Sequence, residues 1–224
     1  MDQQEAHAVA NRFLESKTLV ELYDSVLMPA LTLVERDRHQ GVLDDVRCNF
    51  FFLSIGELVA ELTGHQQKKT GDAAPCATGV SMQEEFALVC ISASDQADEL
   101  ATHMLVQLME QASHQTLQLT ASVSSEILDA LANEPNTIIL ISALQPFAFS
   151  QARTICQRVR SHLPHNGIVI ALWSPIEDPD QSHDLTVERF GNGRPTVVVN
   201  TLAQAVGQVT HWHREAAAHS PMGL

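Results

Sequence analysis

Thr137-Ile138-Ile139-Leu140-Ile141 decides the fold. A short run that is apolar on both sides of a strand fits only a strand covered on both faces. The same signature stands upstream at Phe86-Ala87-Leu88-Val89-Cys90-Ile91 and downstream at Ile168-Val169-Ile170-Ala171-Leu172 and Thr196-Val197-Val198-Val199. A shorter alternating strand runs from Thr116 to Thr120. Between these strands lie amphipathic helical patterns over residues 95–112, 124–132, 147–162 and 201–217. Leu100, Met104, Leu105 and Leu108 line one face of the first, and Ile155 and Val159 point inward from the third. Strand-helix alternation of this kind predicts an α/β fold: a flavodoxin-like five-stranded parallel sheet with helices on both faces.

Working outward, the N-terminal part has helical rhythm only. Val9, Phe13 and Leu14 share a side of a helix over 2–16, and Thr18 is placed to cap the next one. Pro29 suits the first turn of a third helix, which Gly41 ends. A fourth helix from about Asp44 to Leu62 carries Phe51, Ile55, Leu58, Val59 and Leu62 as its apolar stripe. Short connections predict neighbours packed antiparallel in a bundle. The stretch Thr63 to Pro75 is polar, holds Gly and Pro and lacks an apolar period, which reads as a linker. The expected organisation is a helical bundle over 1–62, a linker over 63–84 and the flavodoxin-like domain over 85–218.

The whole-chain numbers exclude several functions. The chain has 224 residues and a formal net charge of −14. A polyanion repels phosphate backbones and anionic lipid heads, so nucleic-acid binding is not expected. No apolar run approaches the length of a membrane span, and the start Met1-Asp2-Gln3-Gln4-Glu5 lacks the features of a signal peptide, so neither membrane insertion nor export is expected and the location reads as cytoplasmic. The four cysteines, Cys48, Cys76, Cys90 and Cys156, form no Cys-x-x-Cys pair and read as free thiols. His211 and His213 lie two apart on a helix and cannot chelate one ion there, so no metal site is expected.

In parallel sheets of this kind a ligand sits beyond the carboxyl ends of the strands. The loops there are 92–95, 142–147, 173–183 and 200–201. The acidic acceptor and the lysine of a phospho-accepting receiver domain are missing, because strand three ends in Ser142 and strand five in Asn200-Thr201. The loop Ser92-Ala93-Ser94-Asp95-Gln96-Ala97-Asp98-Glu99 has no glycine, and its three carboxylates would repel a flavin phosphate at the helix start. Ser94 or Asp95 instead reads as a helix cap, with Asp98 and Glu99 complementing the dipole. No nucleophile elbow, P-loop or dinucleotide glycine motif is present, and Cys90 lies inside its strand, so an enzyme is not expected.

The layout of bundle, linker and flavodoxin-like domain resembles the cobalamin-binding module of methionine synthase and of cobalamin-dependent methyltransferases and photoreceptors. Three places carry the comparison. The family's D-x-H-x-x-G after strand one corresponds to Asp95, with Ala97 at the cobalt-ligating His and Leu100 at the Gly. The family's S-x-L after strand three is matched by Ser142-Ala143-Leu144. The glycine pair that lets the nucleotide tail pass after strand four is replaced at Trp173, a lid or a plug. The resemblance implies cobalamin as cofactor, with its own base kept on cobalt. The site residues it implies are Ser94, Asp95, Gln96, Ser142, Ala143, Leu144 and Trp173. The stretch Leu22 to Leu31, with Glu35-Arg36-Asp37-Arg38-His39-Gln40-Gly41 and Ser54-Ile55-Gly56-Glu57-Leu58, is similar to a soluble extension of some bacterial permeases of the autoinducer-2 exporter family, which implies a regulatory domain related to a transporter tail.

Together these readings predict a non-catalytic sensory or regulatory module with a small-molecule ligand at the carboxyl ends of the strands, facing the bundle. The alternative is a ligand-free interaction domain that dimerises or docks a transporter or another regulator; a small-molecule enzyme is a second alternative. Phe50, Phe51 and Phe52 cannot all face one core, so at least one must face the other domain, a ligand or a partner. Asp37 or Arg38 is placed to tie the two parts together.

Overall fold

The computed structural model describes residues 3–134, 136–145, 147–173, 190 and 196–219, apart from 71–87. Four N-terminal helical segments come first: α1 (Gln3–Phe13), α2 (Leu19–Leu22), α3 (Met28–His39) and α4 (Asp45–Thr70). The remainder alternates: β1 (Leu88–Ser92), α5 (Gln96–Gln111), β2 (Thr116–Leu119), α6 (Ser125–Leu131), β3 (Ile138–Leu144), α7 (Phe149–His162), β4 (Ile168–Trp173), β5 (Thr196–Val199) and α8 (Leu202–His219). The sheet is wholly parallel in the order β2-β1-β3-β4-β5. This is the flavodoxin-like arrangement, and its order reverses between β1 and β3.

Local chemistry explains the helical entry. Thr18 and Glu21 form a reciprocal capping box: Thr18 Oγ1 accepts from the Glu21 amide at 3.2 Å, and Glu21 accepts from the Thr18 amide at 2.8 Å. The Thr18 amide, then Lys17, pulls the Glu21 carboxyl down to about 2. Pro29 stands in the first turn of α3 as expected, but the chain does not break before it. Instead the chain widens into a π-helical turn over Tyr23–Leu27 and runs on as α3. Proline has no N–H and crowds the carbonyl one turn back, and a wide turn absorbs that misfit without ending the rod. Gly41, at φ +70°, closes α3. The fourth helix passes Leu62 and continues to Thr70, so residues 63–70 are helical rather than linker. The rest of that expected linker, and Phe86 and Ala87 of the first expected strand, lie outside the described residues.

Strand residues alternate between two cores. Val89, Ile91, Ile139, Ile141, Ile170 and Leu172 pack with α6 and α7. Leu88, Cys90, Leu140, Val169, Ala171 and Trp173 pack with α5 and α8, and the same core continues through Leu22, Tyr23, Leu31, Leu58 and Val59 of the helical segment. The helical part therefore shares one apolar core with a sheet face. Tyr23 Oη donates to Gln107 Oε1 of α5 at 2.5 Å inside this core, both side chains buried. Gly56 of α4 faces Leu100 of α5, where an added Cβ would make an ordinary contact at 3.5 Å.

Among the described residues no helix is long and apolar enough to cross a membrane.

Candidate functional site at the junction of the helices and the sheet

Two helix N-termini open at the carboxyl edge of the sheet on the side covered by the helical segment. Both are closed by carboxylates. At α8, Asp24 of the π-helical turn accepts from the amides of Leu202 at 2.7 Å and Ala203 at 3.0 Å. An acid from another part of the chain thus serves as cap. Burial raises the Asp24 carboxyl above its ordinary value, and the two amides only partly offset that. At α5, Asp95 is the cap and accepts from Ala97 N at 3.2 Å. These ends would otherwise attract a phosphate; here the protein supplies its own anions.

Around Asp95 the last turn of α3 builds a charged cluster. Glu35 is 3% exposed. Its Oε1 lies 2.5 Å from Arg38 Nη2 and 2.8 Å from His39 Nε2, and its Oε2 accepts from Arg38 Nε at 3.0 Å. Arg38 Nη2 also donates to Asp95 Oδ2. Arg38, not Asp37, therefore ties the helices to the sheet domain. The fork is the geometry that guanidinium provides and an ammonium does not. Paired first with Glu35, the guanidinium is held still more firmly protonated than usual. The His39 ring stacks on Phe147, from the loop after β3, with centroids 3.8 Å apart and planes 11° off parallel. The cluster sits between β1 and β3, at the reversal of strand order.

Asp98 lies one turn into α5 and is 1% exposed. Its Oδ1 accepts from Leu144 N at 2.7 Å, tying α5 to the end of β3, while Oδ2 has no partner. Burial first, then the charges of Asp95 and Glu35, push this carboxyl up to about 7, against the pull of the Leu144 and Ser94 amides. Two carboxylates, Glu35 and Asp95, thus share one guanidinium, and Asp98 lies close enough to feel the charge of both.

The structure distributes the residues expected from sequence over two places. Asp95 stands in the charged cluster, with Ser94 and Gln96 exposed beside it. Ser142, Ala143 and Leu144 lie inside β3, all buried, rather than in the loop after it. Ser142 Oγ accepts from Trp173 Nε1 at 2.8 Å, and Trp173 is 1% exposed. Its indole fills the bundle-side end of β4 and is hydrogen-bonded there. Ala97, at the position of the family's cobalt-ligating histidine, is fully buried and offers no ligand atom. Trp173 thus takes up the end of β4, where the resemblance to the cobalamin module expects small residues. Loop residues 174–183 lie outside the described residues.

Sequence reading missed Glu35, His39, Phe147 and Asp98. One signal was available: Glu35 and His39 are four apart, hence on one helix face. Phe147 and Asp98 gave none, because their roles depend on which helix covers the sheet edge. Trp212 of α8 leaves no room for a side chain at Gly167, whose Cβ would meet its ring at 2.9 Å.

Of the three phenylalanines, Phe52 is buried, Phe51 half-buried and Phe50 49% exposed. With Val46 at 79% and Leu53 at 60%, Phe50 forms an outward apolar stripe at spacings of four and three on α4, and Val42 at 66% precedes it. Comparison with family models, curated proteins and solved structures finds no match for this chain.

Proposed function

We propose that this chain is a non-catalytic regulatory module, cobalamin-binding-like in layout, that acts in the cytoplasm through contact with a protein, the first candidate being a second copy of itself. The observation that carries this reading is the outward stripe of Val46, Phe50 and Leu53 on α4. Apolar side chains aligned on one exposed helix face are the mark of an interaction surface. The crevice adds support from the other direction: Trp173 occupies the tail slot and the protein's own carboxylates close both helix ends. The described cysteines also support a non-catalytic role. Cys48, Cys90 and Cys156 are buried, and burial pushes each thiol up, opposite to the shift that activates a nucleophile.

The test is the molar mass of the full chain by light scattering across a concentration series, with Phe50→Asp and Leu53→Asp alongside. A dimer in the parent and a monomer in both variants is the expected result. A parent that stays monomeric at high micromolar concentration removes self-association and leaves a transporter or other regulator as partner.

A second reading has its own observation. The charged cluster lies at the strand-order reversal, where α/β sheets take small molecules. A ligand there would touch α3 and the sheet domain together, as a sensor requires. Cobalamin is the candidate implied by the layout. An absorption spectrum, taken in the dark after mixing with hydroxocobalamin or adenosylcobalamin and desalting, tests it. Retained corrin bands would establish the cofactor; a colourless protein would remove it.

A further inference from the structure

We infer that Glu35, His39 and Asp95 form a site for one divalent transition-metal ion that joins α3 to the start of α5. This goes beyond the interaction surface on α4 and does not depend on it.

Three observations converge. First, Glu35 and His39 are four apart, so one helix face presents a carboxylate and an imidazole together, a common arrangement for metal ligands. Asp95 adds a third donor from the other part of the chain. One ligand atom from each lies within 4.8 Å of the other two. Second, the imidazole is held in place. Its stacking on Phe147 fixes the ring plane while Nε2 faces Glu35 Oε1 at 2.8 Å. That is the orienting support a bound ion needs around its ligands. Third, the cluster is short of positive charge. Asp98, also close enough to raise its carboxyl through Glu35 and Asp95, keeps one buried oxygen without a partner. A divalent ion beside Arg38 would neutralise Glu35 and Asp95 together and lessen the negative charge that both place on Asp98.

Arg38 is the competitor. Its Nη2 stands between Glu35 and Asp95, where the ion would sit. Its side chain is 29% exposed, whereas that of Glu35 is 4% exposed. The guanidinium can turn outward and keep Glu35 Oε2, leaving Oε1, the imidazole and Asp95 for the metal, with water completing the shell. A mixed nitrogen and oxygen set suits zinc and its neighbours rather than magnesium or calcium.

The experiment titrates the full chain, stripped with chelator and desalted, with Zn2+ alone, and counts metal after a second desalting. One saturable site per chain is expected. His39→Ala and Asp95→Asn should each weaken it at least tenfold, and Arg38→Gln should tighten it severalfold by removing the competing cation. A circular-dichroism melt of each variant confirms folding, and Asp95→Asn, which keeps the helix cap, serves if His39→Ala does not fold. His211→Ala controls for the exposed His211–Glu215 pair. No saturable site in either the parent or Arg38→Gln overturns the proposal. Binding that survives His39→Ala and Asp95→Asn but falls with His211→Ala identifies an adventitious ion only, and overturns it equally. The dimer and corrin measurements are made without zinc, so they stand or fall separately.

Discussion

The carboxyl edge of the sheet has two ends on its helix-covered side, and they are built on opposite principles. At the β4 end, Trp173 and Ser142 make a dry, apolar plug in which the buried indole N–H has its acceptor. At the β1–β3 end, Glu35, Arg38, His39, Asp95 and Asp98 make a charged cluster, partly open to water, in which one buried oxygen has no partner. A satisfied polar group in an apolar setting stabilises by packing and has one arrangement. A buried carboxyl raised by its acidic neighbours costs stability when ionised and responds to protons. The fold thus closes one part of the sheet's carboxyl edge with packed side chains and leaves the other with ionisable ones.

The comparison breaks most simply at Trp173. Replacing it with alanine should leave a cavity and orphan Ser142, at a cost of about 3–5 kcal/mol, read from denaturant midpoints. A loss below about 1 kcal/mol would mean that the β4 end is loosely packed and that plug is the wrong description.

The charged end should show itself in the pH dependence of stability. The Asp98 carboxyl is raised from 3.8 to about 7 in the folded chain. Between those values the folded state holds a proton that the unfolded state has lost, so stability falls as pH rises and levels off above the folded value. From about pH 5.5 to pH 8 the loss should be roughly 2 kcal/mol. Asp98→Asn should flatten that slope and be the more stable protein at pH 8. An unchanged slope in the variant would transfer the effect to other groups.

The dry end was far more legible in the sequence than the charged one. Residues 137–141, 168–172 and 196–199 announce strands because continuous apolar runs have few alternatives, and the sheet order then follows from ordinary topology. Trp173 could be read as a lid or a plug because the resemblance to the cobalamin module expects small residues there. Arg38 was recognisable only as one of two tie residues. Glu35 and His39 share its helix and could be read from their spacing, but their meeting with Asp95 and Phe147 depends on the packing of α3 against the sheet edge. The π-helical turn was missed for a related reason. Proline signals a local misfit, and whether a helix stops or widens depends on the core beneath it, here Leu22, Tyr23 and Leu27.

Asp24 sharpens the comparison from a third position. It is a charged group used as a satisfied one, held by two amides at the start of α8. Asp24→Ala should cost about 1 kcal/mol, typical of a lost helix cap. Amide exchange should speed up at Leu202 and Ala203 without change near Asp95. Equal loosening at both helix starts would mean that the two ends act as one unit.

The smallest effect is expected at Phe50, and its smallness is informative. Phe50 and Phe52 are the same residue two positions apart on α4, so helix propensity and hydrophobicity are equal and only placement differs. Phe52, 4% exposed, should cost several kcal/mol as alanine, whereas Phe50, 49% exposed, should stay within about 0.5 kcal/mol for the isolated chain. If self-association uses the stripe, that near-neutral value holds only at low concentration. At high concentration the parent gains stability from dimerisation and Phe50→Ala does not, so their melting temperatures should diverge as protein is added. Parallel melting at every concentration would show that Phe50 meets only water, and the apolar stripe would then need a partner other than a second copy.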